Sequence, residues 1–195
     1  MADDPIAQLS NALEQAAEVI DGVDADQAAL PTPCRSWDVR ALAEHLVDDL
    51  GKFAVAAAGD RPDWSKPAPA VDGDLAAAFR ERMAPLLDGW RGAGDLTATI
   101  KLPLGEVPAS FVVYQQVAEL AAHAWDLAKA TGQKVDFDPA VATAALDWAA
   151  TALRPQFRGD EDSGKVFGPE VAVSADAPAY DRLAAFFGRN PRDWS

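Results

Sequence analysis

The stretch at residues 112–130, VVYQQVAELAAHAWDLAKA, decides the fold. It holds neither Gly nor Pro, its apolar residues return at helical spacing, and Gly132 stands just beyond it as a stop signal. Val112, Gln116, Leu120, His123 and Leu127 share one narrow stripe of such a helix, with Glu119 at its edge. Polar groups on a face that must be buried need partners there, because an unpaired one is costly. Glu119 and His123 lie one helical turn apart and can grip a single ion together. The ordinary explanation of such a pair is a buried hydrogen bond. A census of histidines sets a second explanation beside it, since the chain has only two. The other, His45, lies beside the apolar stripe of another strong helix.

That second helix is expected to run from Ser36, as N-cap, to about residue 58, with Asp38 near its start to complement the dipole. Val39, Leu42, Leu46, Leu50 and Phe53 form its core face. Asp48 and Asp49 follow His45 at i+3 and i+4, either as partners that orient its ring or as part of a solvated acidic face. Upstream, LPTPCRSW at 30–37 holds two prolines and gives an extended, turning entry. Cys34 is read as a partly buried structural thiol, because a helical rise from Ser36 would leave it roughly 13 Å from His45.

Outward from these two helices, residues 4–22 form an amphipathic first helix, and 74–91 form a third in which Pro85 predicts a kink or break. The Pro-, Gly- and Asp-rich loop at 59–73 suits a crossover between non-adjacent helices. Residues 96–102 alternate and are β-branched, which predicts a short strand, with a turn at Pro103-Leu104-Gly105. Pro108 then falls in the first turn of the Glu119–His123 helix. A further helix is expected at 139–153 and a last one at 178–187, with a short strand at 170–173. The fold class is therefore all-α: a bundle of four principal helices with a long crossover and a small β element. Residues 1–153 are expected to form a metal-binding bundle and 154–195 an appendage packed on it.

Composition narrows the function. With 49% apolar and 25% charged residues the chain has an ordinary globular make-up. A net charge of -14 argues against binding phosphate backbones or anionic membranes, and no apolar run is long enough to span one. A single cysteine and the absence of a secretory pattern at the N-terminus point to the cytoplasm.

A four-helix bundle builds metal sites in its core from facing helices. Two histidines and one carboxylate leave a coordination position open for water or substrate, which is the catalytic rather than the structural zinc pattern. Such donors suit zinc and also accept nickel, iron or manganese. Around His45, Glu119 and His123, Asp126 is a candidate hydrogen-bond acceptor for His123 or, equally, half of an ion pair with a neighbouring segment. Gln116 is a candidate contact for water or substrate. Trp37 and Trp125 are candidates for a pocket wall, or simply core.

The segments TPCRSW at 32–37 and Val39-Arg-x-Leu42-x-x-His45-Leu resemble the opening motif of the mycothiol-dependent maleylpyruvate isomerase N-terminal domain. That domain belongs to the DinB-like superfamily of metal-binding four-helix bundles. Glu119-x-x-x-His123-x-Trp-Asp-Leu-Ala128 followed by Thr131-Gly132 is similar to its second motif. FGPEV at 167–171 and the run from Ala177-Pro to Gly188-Arg-x-Pro191 resemble one branch of uncharacterised metal-binding proteins. The resemblance implies a zinc-type site at His45, Glu119 and His123, and kinship with enzymes that use a low-molecular-weight thiol such as mycothiol. The isomerase carries a further C-terminal domain, whereas this chain ends in a tail of another pattern, so the metal site carries over and the substrate does not.

Two functional readings follow, each for a monomer or homodimer with a small-molecule partner. One is a metal- and thiol-dependent transferase, isomerase or hydrolase. The other is a non-catalytic module whose metal is structural. A cleft over the open position favours the first, and a sealed site the second.

Overall fold

Four aspartates start four of the helices: Asp4 begins α1 (Pro5–Asp21), Asp38 α2 (Val39–Ala57), Asp74 α3 (Leu75–Gly92) and Asp138 α5 (Pro139–Ala152). Each carboxylate accepts a hydrogen bond from a first-turn N–H, a cap that stabilises a helix by about 1 kcal/mol. Part of the negative charge thus has a local structural role. At α2 the cap is Asp38, whose Oδ1 accepts from Ala41 N at 2.8 Å, and not Ser36. The computed structural model describes residues 4–102, 105–159, 165 and 167–194.

The central helix, α4 (Ala109–Thr131), starts without a side-chain cap. Its first N–H groups are taken by the preceding chain: Ala109 N donates to Ala98 O at 2.8 Å and Ser110 N to Leu96 O at 3.0 Å. That chain is a hairpin of β1 (Thr99–Leu102) and β2 (Gly105–Pro108), antiparallel, with Ile100 opposite Val107. The expected turn at 103–104 lies outside the described residues. At its other end α4 stops at Gly132, whose φ of 70° suits a residue without Cβ.

α1 packs against α3 and α4, and α2 against the same two, so the four helices close into a bundle with α1 and α2 on one diagonal. The chain crosses the bundle through residues 22–38 and again through 93–108. The loop at 58–74, in contrast to expectation, joins neighbours, since α2 and α3 touch along their length. Its extra residues fold over the flank of α2, where the Trp64 ring meets Phe53 at 5.0 Å. α3 continues through Pro85 as one helix. α5 lies outside the bundle on α4 and α1, and α6 (Ala179–Phe186) packs on α5 and α4. Residues 170–173 form no strand; Val171 N donates to Ala185 O at 2.9 Å instead.

Leu9, Leu13, Leu42, Leu46, Phe79, Leu86, Trp90 and Leu127 are fully buried between the helices. Alanines at 118, 121, 122 and 124 let neighbours approach α4 closely. No helix among the described residues is long and apolar enough to cross a membrane.

Candidate metal centre

α2 and α4 are adjacent, and their facing sides bring the two histidines together. His45 Nε2 lies 3.0 Å from Glu119 Oε1, and His123 Nε2 lies 3.1 Å from the same oxygen. The rings stand at 90° with centroids 5.4 Å apart. Two imidazole nitrogens and one carboxylate oxygen therefore converge within 4.8 Å of one another. Donors in a tetrahedral shell with bonds of 2.0–2.1 Å stand about 3.3 Å apart, so the set has nearly the spacing and fully the chemistry that a zinc-type ion requires.

The surroundings fix both rings. Trp37 stacks on His45 at 4.3 Å and 22°, and meets the His123 ring edge-to-face at 5.8 Å and 70°. The turn before α2 places that indole: Trp37 N donates to Cys34 O, while Thr32 Oγ1 lies 2.8 Å from the carbonyl oxygens of both Cys34 and Trp37. On the far side of His123, Nδ1 meets Asp126 Oδ2 at 3.0 Å. Asp126 is 0% exposed and is gripped by Arg189 from beyond α6, with Nη2 to Oδ2 at 2.8 Å and Nε to Oδ1 at 3.2 Å. Both roles weighed for Asp126 are thus realised at once.

Burial works against ionising Glu119, but His123 and His45 outweigh it and hold its carboxyl well below the usual range. Burial likewise disfavours a charged His123, yet Glu119 and Asp126 on its two sides push it up to about 9. Asp126 is lowered despite its burial, by Arg189 and His123. Burial raises Asp49 to about 6, with His45 opposing. Its Oδ2 lies 3.5 Å from His45 Nε2, the nitrogen that also faces Glu119, so Asp49 stands on the side of the converging donors and does not hold the ring's outer nitrogen.

Glu119 sits among these groups yet keeps 32% of its side-chain surface open, because its edge faces a cleft of about 530 Å³. Trp37, His45, Asp49, Lys52, Trp64 and Gln115 help to line it. Gln116 does not face it: Gln116 Oε1 accepts from Trp90 Nε1 at 3.2 Å and its Nε2 donates to Val112 O, so this residue serves the core. Trp125 also turns away, donating to Asp181 Oδ1 at 3.0 Å. Cys34 lies within 4.8 Å of donor atoms on His123 and Asp126, since the 30–38 segment folds back through a bridge between Pro31 and Asp38. The bidentate grip of Arg189 on Asp126 makes that second cluster the poorer ion site.

Sequence reasoning did not find Arg189, Trp64 or Gln115. Gln115 had a usable signal, standing one turn before Glu119 on the same face. Arg189 and Trp64 lie on segments whose docking no local pattern reveals.

The family model for the mycothiol maleylpyruvate isomerase N-terminal domain matches residues 9–128, which include His45, Glu119 and His123. Two proteins of Mycobacterium tuberculosis, each described as uncharacterized, are 37% identical over 192 residues, covering 97% of this chain and 100% of their own. The crystal structure of the mycothiol-dependent maleylpyruvate isomerase is similar with a TM-score of 0.59 at 16% identity, covering 95% of this chain and 80% of that one. A histidine-to-alanine mutant of the isomerase gives 0.51 at 14% identity, covering 72% of this chain, which spans 65% of that one. At these identities the likeness to the solved structures is one of fold.

Proposed function

The chain belongs to the mycothiol maleylpyruvate isomerase N-terminal domain family, and from that premise we propose that it is a divalent-metal enzyme, zinc being the ion its donors suit best. Its substrate is a small electrophile, and its nucleophile a low-molecular-weight thiol, mycothiol in kind, or water. The reaction class is thiol transfer, isomerisation or hydrolysis. The observation that carries this reading is the placement of three convergent donors at the wall of an open, Trp- and carboxylate-lined cleft. A structural ion would be expected in a closed site.

His45 Nε2, His123 Nε2 and Glu119 Oε1 would hold the ion. When bound, a divalent ion supplies Lewis acidity that lowers the pKa of a coordinated water or thiol. The protein supplies the rest. Asp126 accepts the Nδ1 proton of His123, which leaves Nε2 as the donor nitrogen and turns it toward Glu119. Trp37 stacks on His45 and sets its plane. Asp49 Oδ2 offers a hydrogen-bond acceptor beside the donors on the cleft side. Lys52, at the cleft wall, is paired with Asp48 at 2.6 Å and donates to Lys66 O, so it braces that wall. In the same reading residues 1–153 are the metal-binding unit and 154–195 a buttress that delivers Arg189, in a cytoplasmic monomer or homodimer.

Elemental analysis of protein purified without a metal-affinity tag, followed by a screen of thiols against electrophiles, tests the proposal. One equivalent of zinc together with thiol-dependent turnover is the expected result. Metal-free protein that takes up no zinc on addition ends it.

A further inference from the structure

Beside the cleft lies a second cavity of about 640 Å³, enclosed by the hairpin, α4, α5 and the segment after α5. Its character differs: Phe111, Trp148, Val107, Leu153 and Phe157 make its wall largely apolar and aromatic. The volume falls within the range that holds a small organic molecule. The two spaces have Trp64 and Gln115 as common wall. Phe111, Gln115 and Glu119 follow one another at i, i+4 and i+8 on a single face of α4. That face therefore leads from the aromatic cavity past Gln115 to the metal ligands, over about 12 Å of helix axis.

The wall is aromatic, with the Phe111 and Trp148 rings meeting edge-to-face at 5.3 Å and 60°.

We propose that the aromatic cavity binds an aromatic ring of the same electrophile whose reacting centre sits in the metal cleft. The substrate is thus an elongated aryl compound and not a small dicarboxylate. This rests on the metal reading of the cleft for its reacting end and on the cavity alone for its aromatic end.

The two parts separate in one experiment on the full-length chain. 8-Anilinonaphthalene-1-sulfonate, a soluble aryl probe, is titrated by fluorescence, and zinc content is measured on the same samples. Native protein is expected to bind one probe saturably. Ala152→Trp, which fills the cavity from the end of α5, and Val107→Phe, which fills it from β2, are each expected to weaken binding at least tenfold with zinc content unchanged. The two blocks come from different elements, so a folding defect in one leaves the other informative. His45→Ala is expected to lose zinc and keep the probe. A series of ω-phenylalkanethiols should displace the probe at least tenfold better from native protein than from His45→Ala once the chain spans about 12 Å. Probe binding that is absent, or indifferent to both blocking variants, overturns the proposal even if zinc is bound. Equal displacement from native and His45→Ala protein separates the two spaces and also overturns it. A native dimer that Ala152→Trp converts to monomer would assign the cavity to a subunit interface, with the same consequence. Absence of zinc from the native protein, with probe binding intact, defeats the metal reading alone.

Discussion

Arg189 holds Asp126 by two hydrogen bonds, 2.8 and 3.2 Å, across 63 residues of sequence, and Asp126 in turn holds His123. The last segment of the chain thereby reaches a candidate metal ligand through one intermediate. Removing the guanidinium with Arg189→Ala leaves a buried carboxylate with a single histidine partner, which costs about 3–5 kcal/mol. Arg189→Lys retains the charge but not the fork that engages both oxygens, and should recover only part of that. Urea unfolding of the three proteins measures the difference. Equal midpoints would mean that Asp126 is stabilised by something other than Arg189.

Asp126→Asn tests the same chain one step nearer the proposed metal site. The amide preserves shape but removes the anion that orders His123, and loss of such an outer partner typically lowers metal affinity 10–100-fold, about 1.4–2.7 kcal/mol. Competition with a chromogenic chelator reads this directly. Unchanged zinc affinity would show that the ring is set by Trp37 and Glu119 without help from Asp126.

The converging donors themselves make a thermal prediction. At a zinc concentration 100 times the dissociation constant, native protein should gain about 2.7 kcal/mol over chelator-treated protein. His45→Ala removes one donor, and Glu119→Gln removes the charge that balances the ion, so both should lose zinc and the gain with it. If chelator, His45→Ala and Glu119→Gln all leave zinc content and melting temperature unchanged, the three residues are a core hydrogen-bond cluster.

The direction of the pH response separates proton from metal. In metal-free protein His123 is raised from 6.5 to about 9, so its contribution is full below pH 6.5 and is lost as pH rises through about 9. Glu119 is lowered from 4.5, so its contribution is full above pH 4.5 and is lost on acidification through its lower folded value. These are two ends of one ion pair, whose contribution is full between about pH 4.5 and 6.5, while Asp49, raised from 3.8 to about 6, makes metal-free stability fall as pH rises between those two values. Zinc needs the unprotonated ring, so the zinc-dependent gain should instead grow from pH 6 toward 9. Melting curves with and without chelator at several pH values check this. A gain that shrinks over that span excludes His123 as a ligand.

How much of this was legible in the residues depends on distance along the chain. The helices were legible because apolar spacing is local, and the pairing of Glu119 with His123 because four residues make one helical turn. The nearness of His45 to that pair needed the bundle, which the family motifs implied. Asp38 outcompeted Ser36 as cap because the 30–38 segment folds back before α2 begins, and that turn is also what brings Cys34 toward His123. The crossover was assigned to the wrong loop, since length at 58–74 reflects a wall over the cleft and not a diagonal passage. Gln116 was drawn into the site by its stripe, but Trp90 from α3 claims it, while Gln115 one residue earlier looks into the cleft. An ion pair of Asp126 with a neighbouring segment was one of its two readings, but Arg189 as the partner could not be named, because nothing near residue 126 points beyond α6.

Backbone geometry gives the last prediction, and it links a turn on the surface to the proposed metal site. Gly132 and Gly188 both have positive φ, 70° and 89°. A Cβ at Gly132 would meet nothing within 4 Å, whereas one at Gly188 would stand 2.7 Å from Gly168 Cα and 2.9 Å from its carbonyl carbon. Gly132→Ala should therefore cost only the left-handed conformation, about 1 kcal/mol. Gly188→Ala carries that same cost and must also push two backbones apart. Because Arg189 is the next residue, that displacement is transmitted to Asp126 and then to His123. Gly188→Ala should be the more destabilising by roughly 1–3 kcal/mol, and it alone should weaken zinc binding. Chelator competition and urea unfolding of the two variants, run side by side, decide it. Equal destabilisation with equal zinc affinity would show that the turn at residue 188 does not position Arg189.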